Sequence, residues 1–450
     1  MMRIVHDEPV TAAIDWTARD YEEVRRRHRW TVPERMNIAD LVIDRRARTE
    51  PNRLALVSVD ENGRARRFTY REIKELSDRI AGAYLSRGVG PGDRVGVFLS
   101  QGVENLVSHL AAHKIGAVSV PLSPLFRDEA LGYRLTHGAA KLLVTDPEHL
   151  DLVAELHASD QLPTLEHVIS TEDSGAAISW WNLARHAKPA GCADTSAEDP
   201  AMLIYTSGTE GLPKGALHCH RFLPGRLSGM ELMHELERDP QGERPFWTPA
   251  DWAWVAGLVD SVFVPLLFGC PVLAWRRRGF DAERIFRLIA REHVRSMFLP
   301  PTALNLLRHV EDARARFDLD VYSVHTAGEP CPPATYAWAH ATFGRVYEFY
   351  GMTELALMIG NGPFFEVRPG SMGKPFPGYD VELLGADGHA VGTDEVGTIA
   401  VRRGHPGMFR EYWEDPKGTA ARFGGEWMIT GDQATRDADG YLWYQGRADD

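Results

Sequence analysis

The sequence predicts an α/β protein: two βαβ-type blocks followed by a small antiparallel, barrel-like β subdomain. Three observations carry this. Short β-branched runs alternate with helix-periodic segments in two separate stretches, as parallel sheets covered on both faces require. After about Arg368 the helices thin out and Gly, Pro and Asp turns separate short extended runs. The chain, at 450 residues, is too long for one ordinary core.

In the first block, Arg94–Leu99 reads as a strand, Glu104–Gly116 as a helix, and Val118–Leu122 and Lys141–Thr145 as further strands. In the second, strands are expected at Pro271–Trp275, Arg295–Leu299, Val321–Thr326 and Arg345–Phe349. Helices are expected at Asp281–Glu292, Thr302–Val310 and Pro333–Phe343. Extended runs at Tyr379–Leu384, Val396–Arg402 and Tyr441–Tyr444 make the third part. The Ala-, Pro- and Asp-containing stretch Lys188–Pro200 reads as a connector. The expected division is 1–195, 196–367 and 368–447, with a hinge at 448–450.

Hydrophobic residues make up 44% and charged residues 25%, which argues against disorder. A formal charge of −13 disfavours non-specific binding to nucleic acid or anionic membranes. The cysteines Cys192, Cys219, Cys270 and Cys331 form no C-x-x-C pair, so zinc and disulfide frameworks are weak readings and a reducing cytoplasm is expected. Charged residues interrupt the N-terminus where a signal peptide needs an apolar run. The longest apolar stretch, Ala256 to Phe268, contains Asp260 and is too short for a bilayer, so it reads as a buried helix.

The chemistry concentrates in a few segments. After the strand-like Ala201–Ile204 comes Tyr205-Thr206-Ser207-Gly208-Thr209-Glu210-Gly211-Leu212-Pro213-Lys214-Gly215. Its glycines permit tight turns that present amides to an anion, and its hydroxyls and Lys214 add donors and charge. That suits a triphosphate, although Pro213 and Gly215 around Lys214 exclude a Walker A loop. The segment Tyr350-Gly351-Met352-Thr353-Glu354 follows a strand end, where α/β sheets bind ligands. There Glu354 suits Mg²⁺, or else is a helix N-terminal charge. Thr326-Ala327-Gly328-Glu329-Pro330, Thr430-Gly431-Asp432 and Gly446-Arg447-Ala448-Asp449-Asp450 are each weak signals alone, and a turn is the plain reading of the first two.

In their order, these segments resemble the superfamily of acyl-CoA synthetases, firefly-type luciferases and peptide-synthetase adenylation domains. The resemblance spans roughly Phe68 to Asp450. Phe68–Glu72, Lys114–Val118, Gly370–Pro375 and Gly407–Trp413 match further landmarks. It implies ATP, Mg²⁺ and coenzyme A as cofactors, and a small-molecule carboxylic acid as partner. Thr206, Ser207, Gly208, Thr209, Glu210, Gly211 and Lys214 would then hold the triphosphate. Gly328, Glu329 and Pro330 would border adenine, and Tyr350, Gly351 and Met352 would also belong to the cofactor-binding set. Thr353 would contact phosphate, Glu354 bind Mg²⁺, Asp432 hold the ribose, Arg447 assist and Asp449 act as hinge. Thr206, Lys214, Glu354 and Arg447 are the implied catalytic set.

In that family a small C-terminal domain follows the hinge and carries a catalytic lysine. The sequence stops at Asp450, so a truncated chain with severely impaired adenylation is expected. The acid would lie against Trp254, Val255, Ala256, Ala327 and Gly351. Acetyl-CoA synthetases carry tryptophan where Gly351 stands, so a short- to medium-chain or aryl acid is expected, and Gly351→Trp should favour acetate. Trp252 and Trp254 either shorten the pocket or are core. Asp251 resembles an amino-acid anchor but also occurs in aliphatic acyl-CoA synthetases, and His220 either touches the pocket or is structural. The alternatives are a domain that loads a carrier protein, or a non-catalytic nucleotide-binding paralogue. An oligomer is compatible with the sequence.

Overall fold

The computed structural model describes residues 4–5, 13–173, 175, 177–206, 211–239, 242–277 and 279–448. Two large sheets dominate. One has eight strands in the order 411–412, 214–219, 200–206, 118–122, 94–98, 140–145, 167–170 and 178–179. The other has nine, in the order 374–375, 356–360, 346–352, 323–326, 296–298, 246–247, 272–275, 54–59 and 65–69. Both are parallel in their interiors and antiparallel at one or both edges. Their parallel strands are joined by the helices that the sequence pattern calls for.

Side chains alternate between two cores, as a strand buried on both faces requires. Along Val272–Trp275, Val272 and Ala274 enter the core shared by the two sheets, while Leu273 and Trp275 enter the outer core beneath the helices Ala282–Arg291 and Pro333–Phe343. In the first sheet, Met202 and Ile204 face the shared core, and Leu203 and Tyr205 face the helices Asp128–His137 and Leu150–Ala158. The large shared core is what locks the two sheets together.

The landmark segments have local causes. Thr69 and Glu72 form a capping box on the helix Tyr70–Leu85: the Glu72 amide donates to the Thr69 hydroxyl at 3.3 Å, and the Thr69 amide donates to the Glu72 carboxylate at 2.7 Å. Lys114, fully buried, ends its helix between the carboxylates of Asp44, 2.7 Å away, and Asp78. Gly373 has φ +91°, and a Cβ there would lie 2.1 Å from the Gly360 carbonyl oxygen, so only glycine fits.

The third part is a five-stranded antiparallel sheet of Val381–Leu384, Gly397–Arg402, Phe423–Gly424, Trp427–Arg436 and Leu442–Arg447. Two details differ from expectation. Thr430-Gly431-Asp432 is not a free turn but the middle of the long strand Trp427–Arg436, where Gly431 at φ +86° accompanies a register shift opposite Thr398 and Ala400. Sheet membership also crosses the boundaries near 195 and 367. Leu54–Thr69 joins the second sheet, whereas Pro200–Cys219 and Glu411–Tyr412 join the first. Sequence patterns read each segment in place and carry no information on which sheet receives it.

The buried helix at Ala256–Phe268 is present. It is π-helical over Ala256–Phe263, turns α-helical over Val264–Phe268, and ends at Gly269 with φ +85°. No helix among the described residues is long and apolar enough to cross a membrane.

Candidate functional site

Two cavities lie side by side at the C-terminal ends of the parallel strands of the second sheet, the usual place for ligands in such sheets. The first, about 420 Å³, is mostly apolar. It is walled by Trp254, Val255 and Ala256, by Ala327 and Gly328 after one strand, and by Phe349, Gly351, Met352 and Thr353 on the next. The second, about 320 Å³, is more polar and is lined by Gly328, Glu329, Pro330, Glu348, Tyr350, Gly351, Met372, Asp432, Tyr444 and Arg447, among others. Gly328, Phe349 and Gly351 belong to both. A ligand with one apolar and one polar half therefore fits with its junction at these three residues.

The strand Val346–Met352 runs further than the sequence suggests and returns as the antiparallel strand Ala356–Gly360. Glu354 thus sits in a hairpin turn, not at a helix start. At Gly351 a Cβ would lie 2.4 Å from the Ala356 carbonyl oxygen. The glycine is fixed by the hairpin's own close packing, a reason the sequence does not disclose. Ala356 itself has φ +123°, a strained conformation for a residue with a side chain.

In the polar cavity Asp432 is held by neighbours. Tyr350 donates its hydroxyl to Asp432 Oδ2 at 2.5 Å, Tyr444 donates to Oδ1 at 3.4 Å, and an Arg447 guanidinium nitrogen lies 3.8 Å from Oδ1. Cross-strand pairing of Asp432 with Arg447 sets that approach. Glu348 accepts a hydrogen bond from the Cys331 amide at 3.1 Å, and its other carboxylate oxygen is buried without a partner among the described residues. Burial pushes its pKa up to about 7. The neighbouring Cys331 thiol is buried and pushed up to about 12 by burial, as an inert thiol is.

A third group lies around Tyr412. This residue reaches the first sheet because Glu411–Tyr412 pairs with Ala216 and Leu217. Its hydroxyl donates to Glu354 Oε1, and the Lys214 ammonium lies 5.0 Å from its ring centroid. Lys214 also pairs with Asp415 at 3.2 Å, and Arg422 donates to the Tyr412 hydroxyl at 2.9 Å. Asp415 is held below the usual carboxylate range by the Gly418 amide and by Lys214. Thr206 stands opposite Lys214 in the hairpin register, its hydroxyl 3.4 Å from the Lys214 carbonyl oxygen. Arg422 lies 3.9 Å from the buried Glu354 carboxylate, and Lys214 approaches the ring of the same Tyr412 that donates to it. One carboxylate is too little for an all-protein metal cage but fits Mg²⁺ shared with phosphate oxygens.

The structure thus brings together Gly328, Glu329, Pro330, Tyr350, Gly351, Asp432 and Arg447 in one cavity. It brings together Trp254, Val255, Ala256, Ala327 and Gly351 in the other, joined by Met352 and Thr353. Met352 and Thr353 therefore line the apolar side. Thr206, Lys214 and Glu354 line neither; Lys214 and Glu354 meet at Tyr412, and Thr206 pairs with Lys214. Ser207, Gly208, Thr209, Glu210 and Asp449 lie outside the described residues. Trp252 is core, 1% exposed, whereas Trp254 forms cavity wall. Asp251 accepts from the Ser123 hydroxyl and the Ala253 amide and lines neither cavity. His220 is buried, accepts from the Ile38 amide at 3.2 Å, and lines neither cavity.

Sequence reasoning missed Glu348, Tyr412, Tyr444, Arg422, Arg226 and Asp260. Glu348, Tyr412, Tyr444 and Asp260 sit inside segments it had marked, and an acidic or phenolic side chain there was the available signal. One cluster of three metal-ligand types is found among the described residues, Asp146, Glu148 and His149, but Asp146 is already paired with Arg276 at 2.6 Å.

Comparison with known proteins agrees with this geometry. The AMP-binding enzyme family model matches residues 43–413. The acetyl-coenzyme A synthetase of Bacillus subtilis is 33% identical over 97% of this chain and 78% of its own length. A mitochondrial acyl-coenzyme A synthetase of Rattus norvegicus is 29% identical over 100% and 78%. The solved structure of an anthranilate CoA ligase in complex with anthranoyl-AMP superposes with a TM-score of 0.84 at 26% identity, over 93% of this chain and 79% of that one. The chain belongs to the AMP-binding enzyme family, among the acyl-CoA synthetases.

Proposed function

We propose that this protein joins a carboxylic acid to ATP as an acyl-adenylate, releasing pyrophosphate, and that the acyl group then passes to the thiol of coenzyme A. The observation that carries this is the shared wall. Gly328, Phe349 and Gly351 border an apolar cavity sized for a small acid and a polar cavity with a ribose-type acceptor, Asp432. A carboxylate at the end of the first cavity is thereby held against the α-phosphate of a nucleotide in the second, and most of the rate gain of such a step comes from positioning and charge neutralisation.

Asp432 accepts from the ribose hydroxyls, and Tyr350, Tyr444 and Arg447 keep its carboxylate oriented. Gly328, Glu329 and Pro330 form the purine wall. Thr353, at the mouth of the apolar cavity, donates to phosphate. Lys214, released from Asp415, and the loop from Thr206 to Gly211 hold the β- and γ-phosphates. Glu354, which accepts from the Tyr412 hydroxyl, would hold Mg²⁺, and that ion would supply charge neutralisation to the phosphates. The acid is short to medium in length or aryl. The anthranilate CoA ligase, solved in complex with anthranoyl-AMP, supports the aryl part of that range. The few, unpaired cysteines support a cytoplasmic site.

Calorimetric titration with an unreactive acyl-adenylate mimic tests the reading. A 5′-O-(N-acylsulfamoyl)adenosine that spans both cavities should bind at least about a hundredfold more tightly than AMP. A mimic that binds no better than AMP sinks the two-cavity assignment.

A further inference from the structure

The apolar cavity has one feature that a plain hydrocarbon pocket does not need. Its wall includes Arg226, which is 1% exposed, and Asp260, which is 2% exposed. Arg226 Nη1 donates to both Asp260 oxygens, at 2.8 and 3.0 Å. Arg226 Nε and Nη2 are buried and have no hydrogen-bond partner among the described residues. These two nitrogens form one edge of the guanidinium, with parallel N–H groups suited to oxygen acceptors. Buried donors left unmade are costly, and native proteins rarely keep them without a reason.

The position is built. Arg226 ends the short turn Pro224–Arg226 just before the helix Leu227–His234, and Asp260 comes from the π-helical stretch Ala256–Phe263. The preceding Gly225 is pinned: its carbonyl accepts from the Tyr379 hydroxyl at 3.0 Å, and a Cβ there would lie 2.1 Å from the Gly407 nitrogen. Asp260 already balances the charge of Arg226, and burial pushes its pKa upward. A second anion beside this neutral pair would be buried uncompensated.

Resting on the proposed acyl-adenylate chemistry, we propose that the acid taken by this enzyme carries a neutral oxygen acceptor at the end far from its carboxylate. An oxo, ether or hydroxyl oxygen would bind the free edge of Arg226, which makes Arg226 a specificity-determining residue.

Matched pairs of the sulfamoyl-adenosine mimics test this by calorimetry: 4-ethylbenzoyl against 4-acetylbenzoyl, and hexanoyl against 5-oxohexanoyl. The oxo member of at least one pair should bind at least about tenfold more tightly, because a site built for a hydrogen bond rejects the analogue that lacks it. The double variant R226M/D260L removes both charges and should erase the difference. Equal or tighter binding of both hydrocarbon members overturns the proposal, as does a preference that survives in the double variant. Tighter binding of a 4-carboxybenzoyl mimic than of the 4-acetylbenzoyl one overturns the choice of a neutral group. The wild-type pairs decide the matter even if the double variant does not fold. Mimics that bind far more tightly than AMP but with no difference within either pair defeat this inference alone, whereas mimics that bind no better than AMP defeat the proposed function on which it rests.

Discussion

The two cavities share a wall but are built differently. The polar side, proposed for the nucleotide, is lined by two short runs, 328–330 and 348–351, and by Gly370, Met372, Asp432, Tyr444 and Arg447. The apolar side, proposed for the acyl group, draws on more elements: the turn at 226, the segment 250–260, the strand ends near 298 and 327, and the hairpin 349–357. Nucleotide chemistry needs fixed anion and ribose contacts, which contiguous motifs supply. Substrate choice needs only a shape with a few polar points, and any of several elements can supply those.

The shared wall gives the largest test of this contrast. Gly351→Trp should destabilise the chain by about 4 kcal/mol, because its Cβ meets the Ala356 carbonyl before any ligand is considered. Chemical denaturation measures this. A stable variant that simply prefers acetate would show that the glycine serves only to leave room, as the sequence alone suggests.

Glu348 sharpens the comparison on the polar side. The unfolded carboxyl loses its proton near pH 4.5, whereas the folded one keeps it to about 7. Stability from this group is therefore full below pH 4.5 and is lost as pH rises through 7, by about 3 kcal/mol. Glu348→Gln keeps an acceptor for the Cys331 amide and should flatten that part of the stability–pH curve. An unchanged slope would mean that the carboxyl is better solvated than its burial implies.

Asp432→Ala should weaken AMP binding by about a hundredfold, or about 2.7 kcal/mol, while the ratio of affinities within a mimic pair stays the same. A changed ratio would show that the cavities are coupled. The smallest effect on stability belongs to Lys214→Met. Its pair with Asp415 is exposed at 42% and 38%, so stability should change by less than about 1 kcal/mol. ATP affinity should fall far more than AMP affinity, and equal losses would remove Lys214 from the β- and γ-phosphate site.

The sequence was most readable where function is local. The alternating strands and the runs around Gly328 and Gly351 were visible because each signal lies within a few residues. Asp432 was found with the wrong setting, since a turn-like Thr-Gly-Asp also fits a strand with a shifted register. Tyr412 and Arg226 were opaque for another reason. Their meaning comes from partners far along the chain, Glu354 and Lys214 for one and Asp260 for the other, and hydrophobic periodicity does not encode such pairings.

The edge strand Glu411–Tyr412 has a consequence for how this protein comes into being. It docks on Ala216 and Leu217, residues that leave the ribosome long before it does. Until it arrives, Glu354 and Lys214 lack the phenol that stands between them. A nascent chain can therefore assemble most of both large sheets while the proposed phosphate site stays incomplete, so that this site closes only after residue 412 has been made.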